Sequence, residues 1–381
     1  MSLGPLQRLV AEDEAARKQK GTFHTPAEIL QQPWLWRETA NRVTPLADRA
    51  RSTLKGREFI VISGAGSSLH AGRLIEDAAR ARFGANAHAV SCTDLLLRSE
   101  SYVPKGKPGV LLSLSRSGES PETVEAARRI SEAYPEVAQM AVVCNAQSSL
   151  AKLMASRQEN LCVALHEKSY DRGLATTSSV TSTVVAGRFL VDPADPAEYS
   201  ERIERLAKSV EGELGAASGE ALAALNPERV IFLGSGALEA AAQEAAHKVL
   251  ELTDGQVPVM ARSPLEFRHG PIAFITPKTL VVFLIHPDPD IQLYERDLQR
   301  QIVDSKTALK VIAVSGADGS DLVKADDQRP GEQGVACLVF AQILALFMSL
   351  GRGFIPDRPH DRGLVNPVVQ GVKLHPGRGA R

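Results

Sequence analysis

Three charged side chains recur at helical spacing within a small and apolar stretch of the 381-residue sequence. Glu244, Lys248 and Glu251 are separated by four and three residues, so a helix over about 238–253 places them on one face. Two carboxylates and an amine are costly to bury among Ala, Val and Leu without a chemical purpose, and such groups can transfer protons. The alternative is a solvated stripe containing an ion pair, which is the commoner arrangement on helices.

A histidine follows this helix in the run Glu266-Phe-Arg-His269-Gly-Pro271. A single histidine is more often structural than catalytic, so the residues alone leave both roles open for His269. His247, within the helix, is interpreted as structural.

Serines follow two of the apolar runs that predict strands, one group after each run. Ser115 to Ser120 come directly after such a run, and Pro121 then opens a helix. Free N–H groups at a helix start and serine hydroxyls bind anions, and ligands of open α/β sheets bind beyond the carboxyl ends of the strands. The pattern favours a phosphate site over a helix cap with a polar loop. The hydroxyls at these two strand ends belong to Ser67, Ser68, Ser115, Ser117 and Ser120.

The order of elements predicts an α/β fold with parallel sheets flanked by helices on both faces. Gly64 and Gly66 recur 170 residues later as Gly234 and Gly236, and two further strands recur at an offset of 171, which predicts a duplicated domain. The predicted segments are a helical region (1–55), a phosphate-binding domain (56–190), a linker helix (191–226), an acid/base domain (227–354) and a tail (355–381).

Composition excludes several classes of partner. A net charge of −1 gives no electrostatic footprint for nucleic acid or an anionic membrane, and the four cysteines are scattered without metal-ligand spacing. The apolar run 335–350 is too short to span a bilayer and predicts a buried helix. We expect a cytoplasmic protein with no metal and no other cofactor.

Several motifs together resemble the double sugar-isomerase (SIS) domain family. They are GAGSS, SRSGES, LATTSS, QEAAHKVLE and EFRHGP, and within the family SPLEFRHGP and NPVVQGV resemble the galactosamine-6-phosphate deaminase/isomerase group, also called tagatose-6-phosphate ketose/aldose isomerase. The isomerase half of glucosamine-6-phosphate synthase is a more distant relative. The resemblance implies two tandem SIS domains, each a three-layer α/β/α sandwich.

Residue roles follow from this resemblance by matching position. Glu251 corresponds to the base that moves a proton between C1 and C2, and Lys248 to the group that stabilises the enediol or enolamine oxygen. Glu244 and His269 correspond to ring-opening groups, the histidine coming from a neighbouring subunit, which implies a homodimer or higher homo-oligomer. Ser68, Ser115, Ser117 and Ser120 match phosphate binders, and Thr176 matches a sugar-contacting serine.

The expected function is therefore an aldose/ketose isomerisation of a phosphorylated hexose or hexosamine. About 55 residues precede the first sheet, too few for the glutaminase of the synthase, so we expect the reaction to release ammonia from galactosamine 6-phosphate and give tagatose 6-phosphate. A plain ketose/aldose phosphate isomerase, a glucosamine-6-phosphate or fructosamine-type deaminase, and a non-catalytic sugar-phosphate sensor remain as alternatives.

Overall fold

A computed structural model describes residues 3–314, 329–360 and 371–375. By its internal contacts the chain divides into two compact units. The first-sheet unit contains Leu35–Tyr170, Ser178–Ile203 and the described residues 371–375. The second-sheet unit contains 3–34, Asp171–Thr177 and the described residues from Glu204 to 360. Each unit combines segments that are distant in sequence, and the linear domain boundaries given above stay a prediction. The tail, 355–381, is described only at 355–360 and 371–375.

The elements are numbered in chain order. The strands are β1 (Phe59–Gly64), β2 (Ala87–Ser91), β3 (Gly109–Ser115), β4 (Val137–Val143), β5 (Leu161–Ala164), β6 (Arg229–Gly234), β7 (Val259–Arg262), β8 (Thr279–Leu284) and β9 (Lys310–Val314). The helices are α1 (Pro5–Ala11), α2 (Glu14–Lys20), α3 (Thr25–Leu30), α4 (Gln32–Val43), α5 (Ala47–Leu54), α6 (Ser67–Phe83), α7 (Cys92–Arg98), α8 (Pro121–Ala133), α9 (Ser149–Ala155), α10 (Ser178–Val191), α11 (Pro196–Gly215), α12 (Ser218–Ala224), α13 (Ala237–Leu252), α14 (Pro264–Phe267), α15 (Pro289–Ser305) and α16 (Pro330–Gly351).

Both sheets are parallel and share one strand order. The first runs β2-β1-β3-β4-β5 and the second β7-β6-β8-β9, so each strand of the second sheet has a counterpart in the first. The predicted α/β class and the duplication are confirmed. β2 and β7 lack a continuous apolar run of four residues, so the sequence pattern does not predict them as strands.

The long apolar helix near the C-terminus packs inside the second-sheet unit. α16 contacts α12 and α13, and nearly all of its side chains are buried, which confirms the predicted buried helix. Among the described residues, α16 is the one helix long and apolar enough to cross a membrane, and 83% of its apolar window is buried. Burial of this kind is typical of a core helix.

The N-terminus of α3 is capped by a residue far away in sequence. The pattern Thr25-Pro26-Ala-Glu28 is typical of a local capping box, but Thr25 lies inside the helix and no side chain at the cap position bonds back. Instead, the Asp357 carboxylate accepts the backbone N–H groups of residues 23, 24 and 25, at 2.7, 2.9 and 2.7 Å. The prediction of a capping box is therefore wrong, because a distant carboxylate accepts the backbone N–H groups that have no partner within the helix.

Candidate active site

The charged stripe on α13 is buried, which excludes the solvated arrangement. Glu244 and Lys248 are both 0% exposed, and the Glu251 side chain is 18% exposed. The Lys248 ammonium Nζ lies 2.5 Å from Glu251 Oε2 and 3.3 Å from Glu244 Oε1. The same nitrogen donates to the Thr176 hydroxyl at 3.1 Å. The stripe therefore forms one connected network, with Glu251 at its more accessible end.

Opposite charges fix the protonation states of this network. Burial acts to lower the pKa of Lys248, but Glu244 and Glu251 outweigh it and the pKa is raised. Burial acts to raise the pKa of Glu251, but Lys248 and His247 outweigh it and lower the pKa to about 2. At neutral pH Lys248 is an ammonium and Glu251 a carboxylate.

Thr176 lies in the short segment Asp171–Thr177, whose backbone donates hydrogen bonds to two buried carboxylates. Asp171 accepts the Thr177 N–H at 2.8 Å, and Glu28 of α3 accepts the N–H of Arg172 at 2.5 Å. Burial, with the nearby charge of Asp171, raises the pKa of Glu28 to about 8. The hydroxyl of Thr176 is thereby presented to Lys248 by backbone that other side chains immobilise.

His269 lies on the surface of the second-sheet unit. It follows α14, where its N–H bonds to the Glu266 carbonyl at 3.0 Å, and its side chain is exposed. The next residue, Gly270, has φ of 109°, a conformation that a side chain strains. The turn therefore projects His269 into solvent in the single chain.

In the first-sheet unit, the predicted phosphate loop connects β3 to α8. Ser115 and Ser117 are buried, and their hydroxyl oxygens accept the N–H groups of Gly118 and Glu119 at 3.0 and 3.1 Å. Gly118 has φ of +66°, and a Cβ there would lie 2.1 Å from Ser148 Oγ. The loop is thus a tight turn in which the serine hydroxyl protons are not used by these bonds.

The remaining predicted phosphate ligands lie at helix starts in the same unit. Ser120 is the N-cap residue of α8, and its side chain makes no capping hydrogen bond. Ser67 and Ser68 are half-buried in the first turn of α6, whose N-cap is Gly66. β1 and β3, which precede the two loops, are adjacent parallel strands, so both loops lie at the carboxyl edge of one sheet. This arrangement suits an anion.

The second sheet fills the equivalent place with its own carboxylate. Glu295 of α15 is 1% exposed and accepts the Ser235 hydroxyl at 2.7 Å, just after β6, and the His286 N–H at 2.8 Å, just after β8. Burial raises the pKa of this carboxyl. The Glu295 carboxyl therefore occupies the carboxyl edge of the second sheet, where the loops of the first sheet carry serines, which gives a physical reason for the different sequence of the second copy.

We expect Glu295→Ala to create an anion-binding cavity, since two polar donors lose their internal partner. Loss of a buried charged hydrogen-bonding partner costs about 1.5–3 kcal/mol in unfolding free energy. Sulfate should restore part of the lost thermal midpoint in Glu295→Ala and have a smaller effect on the parent protein. Equal sulfate responses of the two proteins would contradict this interpretation.

His247, which the sequence pattern indicates is structural, is a member of the network. His247 Nε2 lies 3.0 Å from Glu251 Oε1, so this histidine contacts the predicted base directly. Its spacing of four residues from Glu251 was the available signal. Among the described residues there is no group of three or more His, Cys, Asp or Glu side chains arranged to hold a metal ion.

Comparisons with known proteins agree with this fold. The SIS domain model matches residues 225–329. The chain is 35% identical to an AgaS protein of Streptomyces coelicolor, over 92% of this chain and 95% of that one. It is 32% identical to the D-galactosamine-6-phosphate deaminase AgaS of Escherichia coli O157:H7, over 93% and 96% of the two chains.

A solved structure and a more distant enzyme extend the comparison. The tagatose-6-phosphate ketose/aldose isomerase structure from Escherichia coli aligns with a TM-score of 0.84 and 29% identity, covering 92% of this chain and 96% of that one. Glutamine–fructose-6-phosphate aminotransferase of Sulfolobus acidocaldarius is 25% identical over 91% of this chain and 57% of its own length. The resemblances inferred from the motifs are confirmed: the chain is a sugar-phosphate isomerase/deaminase and belongs to the AgaS D-galactosamine-6-phosphate deaminase family.

Proposed function

We propose that the protein deaminates galactosamine 6-phosphate to tagatose 6-phosphate and ammonia, a hydrolytic isomerisation. The observation that carries this proposal is the Glu251 carboxylate, partly exposed at the end of a buried network that also holds an ammonium and a hydroxyl. A carboxylate beside a fixed ammonium suits proton transfer next to a carbonyl, because one takes the proton and the other stabilises the oxygen charge.

The proposed chemistry begins with the open-chain aminosugar. Glu251 removes the C2 proton while Lys248 stabilises the oxygen on C1, which gives an enolamine with a C1–C2 double bond. Glu251 returns the proton to C1, while the oxygen on C1 takes up a proton from solvent and the nitrogen releases one, which leaves a C1 alcohol and an imine at C2. Water then adds to the imine and ammonia leaves, so the products are the ketose phosphate and ammonia.

The resting ion pair implies a change when substrate binds. With a pKa of about 2, Glu251 is a weak base while Lys248 holds it. We expect the substrate oxygen to draw Lys248 away, and the pKa of Glu251 then rises because its closest positive partner is lost.

The other predicted residues have supporting roles in this proposal. Glu244 is 0% exposed, which favours an action through Lys248 over direct contact with the sugar ring. Thr176 is half-buried beside Lys248 and suits a contact with a sugar hydroxyl. The exposed position of His269 supports ring opening by the histidine of a neighbouring subunit, which requires a homodimer or higher homo-oligomer.

We assign the phosphate to the serines of the first-sheet unit. Ser120→Ala is the cleanest test, because this hydroxyl has no capping role to lose. A hydrogen bond to a charged group contributes about 1.5–3 kcal/mol, so KM should rise roughly tenfold or more while kcat changes little. Ser156→Ala, which removes an exposed hydroxyl bonded only to its own helix, is the matched control. An unchanged KM in Ser120→Ala would remove this serine from the phosphate site.

Direct measurement of ammonia tests the function as a whole. Purified protein is supplied with galactosamine 6-phosphate, glucosamine 6-phosphate, fructosamine 6-phosphate and tagatose 6-phosphate, and both ammonia and ketose are measured. Ammonia from the galacto-configured amine supports the proposal. Isomerisation without ammonia identifies a plain isomerase, preference for another amine identifies a different deaminase, and binding without turnover identifies a sensor. Net aminosugar formation at low ammonium would contradict the proposed direction.

The cellular setting is also a proposal. The four cysteines are all free thiols and three are buried, which suits a reducing compartment such as the cytoplasm. A phosphorylated hexosamine substrate supports the same location, and neither nucleic acid nor membrane is a proposed partner.

A further inference from the structure

Both carboxylate oxygens of Glu251 are held from the same helix. Lys248 holds Oε2 from 2.5 Å, and His247 lies 3.0 Å from Oε1. The two partners precede Glu251 by three and four residues, so one turn of α13 brackets the carboxylate. A glutamate side chain has several rotamers, and two contacts from a rigid helix select one of them.

The two partners differ in burial. Lys248 is 0% exposed and is shared with Glu244 and Thr176. The His247 side chain is 32% exposed and lies at the rim of the network. If the substrate oxygen draws Lys248 away, as the proposed function requires, Oε2 loses its partner while His247 still holds Oε1.

We propose that His247 is a positioning residue for Glu251, holding the carboxylate in one orientation while Lys248 serves the substrate. This inference rests on the proposed function and adds a residue to it. The base must address C2 and then C1 of the same substrate, and a misplacement of about 1 Å can cost roughly 10²-fold in rate. A contact that persists through both transfers supplies the required constraint. His247 stabilises the orientation of the base, and Glu251 alone carries the proton.

Two substitutions separate this role from a structural one. Gln places its Nε2 close to where the histidine Nε2 lies and can donate to Oε1, whereas Leu fills the space without a hydrogen bond. His247→Leu should lower kcat about 10- to 100-fold with KM within about twofold of the parent value. His247→Gln should keep kcat within about threefold, since it restores the hydrogen bond.

The controls make each outcome decisive. Thermal midpoints of the parent protein, His247→Leu and His247→Gln show whether folding is affected. If either substitution unfolds the protein, His247→Ala is used instead, and added imidazole should restore the kcat of that variant. A parent-like kcat in His247→Leu, or equal losses in the Leu and Gln variants, would overturn the proposal. Absence of turnover by the parent protein on every sugar phosphate would instead refute the proposed function. In that event the carboxyl ¹³C shift of Glu251 still decides: it should change in His247→Leu and be retained in His247→Gln, and no change in either would refute the contact.

Discussion

Glu251→Gln is expected to lower kcat for the proposed deamination by about 10²- to 10⁴-fold, the usual contribution of a positioned acid/base group, while the phosphosugar still binds. The amide has nearly the same shape as the carboxylate and can still accept from Lys248 Nζ, but it cannot take a proton from carbon. The proposed phosphate ligands are serines that this substitution leaves unchanged, so substrate affinity should survive. Fluorescence or calorimetric titration with galactosamine 6-phosphate, alongside the ammonia assay, measures both quantities.

Glu239→Gln is the matched control for this experiment. It makes the same chemical change in the first turn of α13, three turns from Glu251. We expect its kcat to stay close to that of the parent. Loss of binding and of turnover by similar factors in Glu251→Gln would show that Glu251 is a structural glutamate, as would similar losses in the two variants.

Most of the strands and the charged stripe of α13 could be predicted because their signals are local. A buried parallel strand reads as a continuous apolar run, and a charged stripe on an Ala-rich helix stands out at a spacing of three to four residues. β2 and β7 lack such runs, so the sequence predicts neither strand. A short or interrupted apolar run gives too little signal to separate a strand from a loop.

The supports of the site could not be predicted, because their partners are distant in sequence. Glu28 matched a capping box three residues after Thr25, yet its carboxylate bonds to the backbone of Arg172 and Gly173. The cap it was expected to complete is supplied by Asp357. A sequence shows which donors need a partner, whereas only the fold decides which carboxylate reaches them.

Lys248→Met is expected to lose stability as well as activity, because it leaves the Glu244 carboxylate without the ammonium 3.3 Å away. Removing one member of a buried ion pair costs about 3–5 kcal/mol in unfolding free energy, since the remaining charge stays desolvated. kcat should also fall, because no cation then stabilises the oxygen charge of the intermediate. Denaturant midpoints and ammonia release measure the two losses.

The double variant Glu244→Gln with Lys248→Met separates these effects. Neutralising Glu244 removes the unpaired buried charge, so most of the stability lost in the single variant should return, while activity should not. Glu251 has lost the same ammonium in both variants, so its contribution cancels in the comparison. If the single and double variants unfold at the same midpoint, the two buried charges are not coupled. If the double variant regains activity, Lys248 acts only to neutralise Glu244 and does not serve the substrate. If the double variant recovers stability but not activity, two conclusions follow. The buried ion pair of Glu244 and Lys248 stabilises the fold, and the Lys248 ammonium also takes part in the reaction.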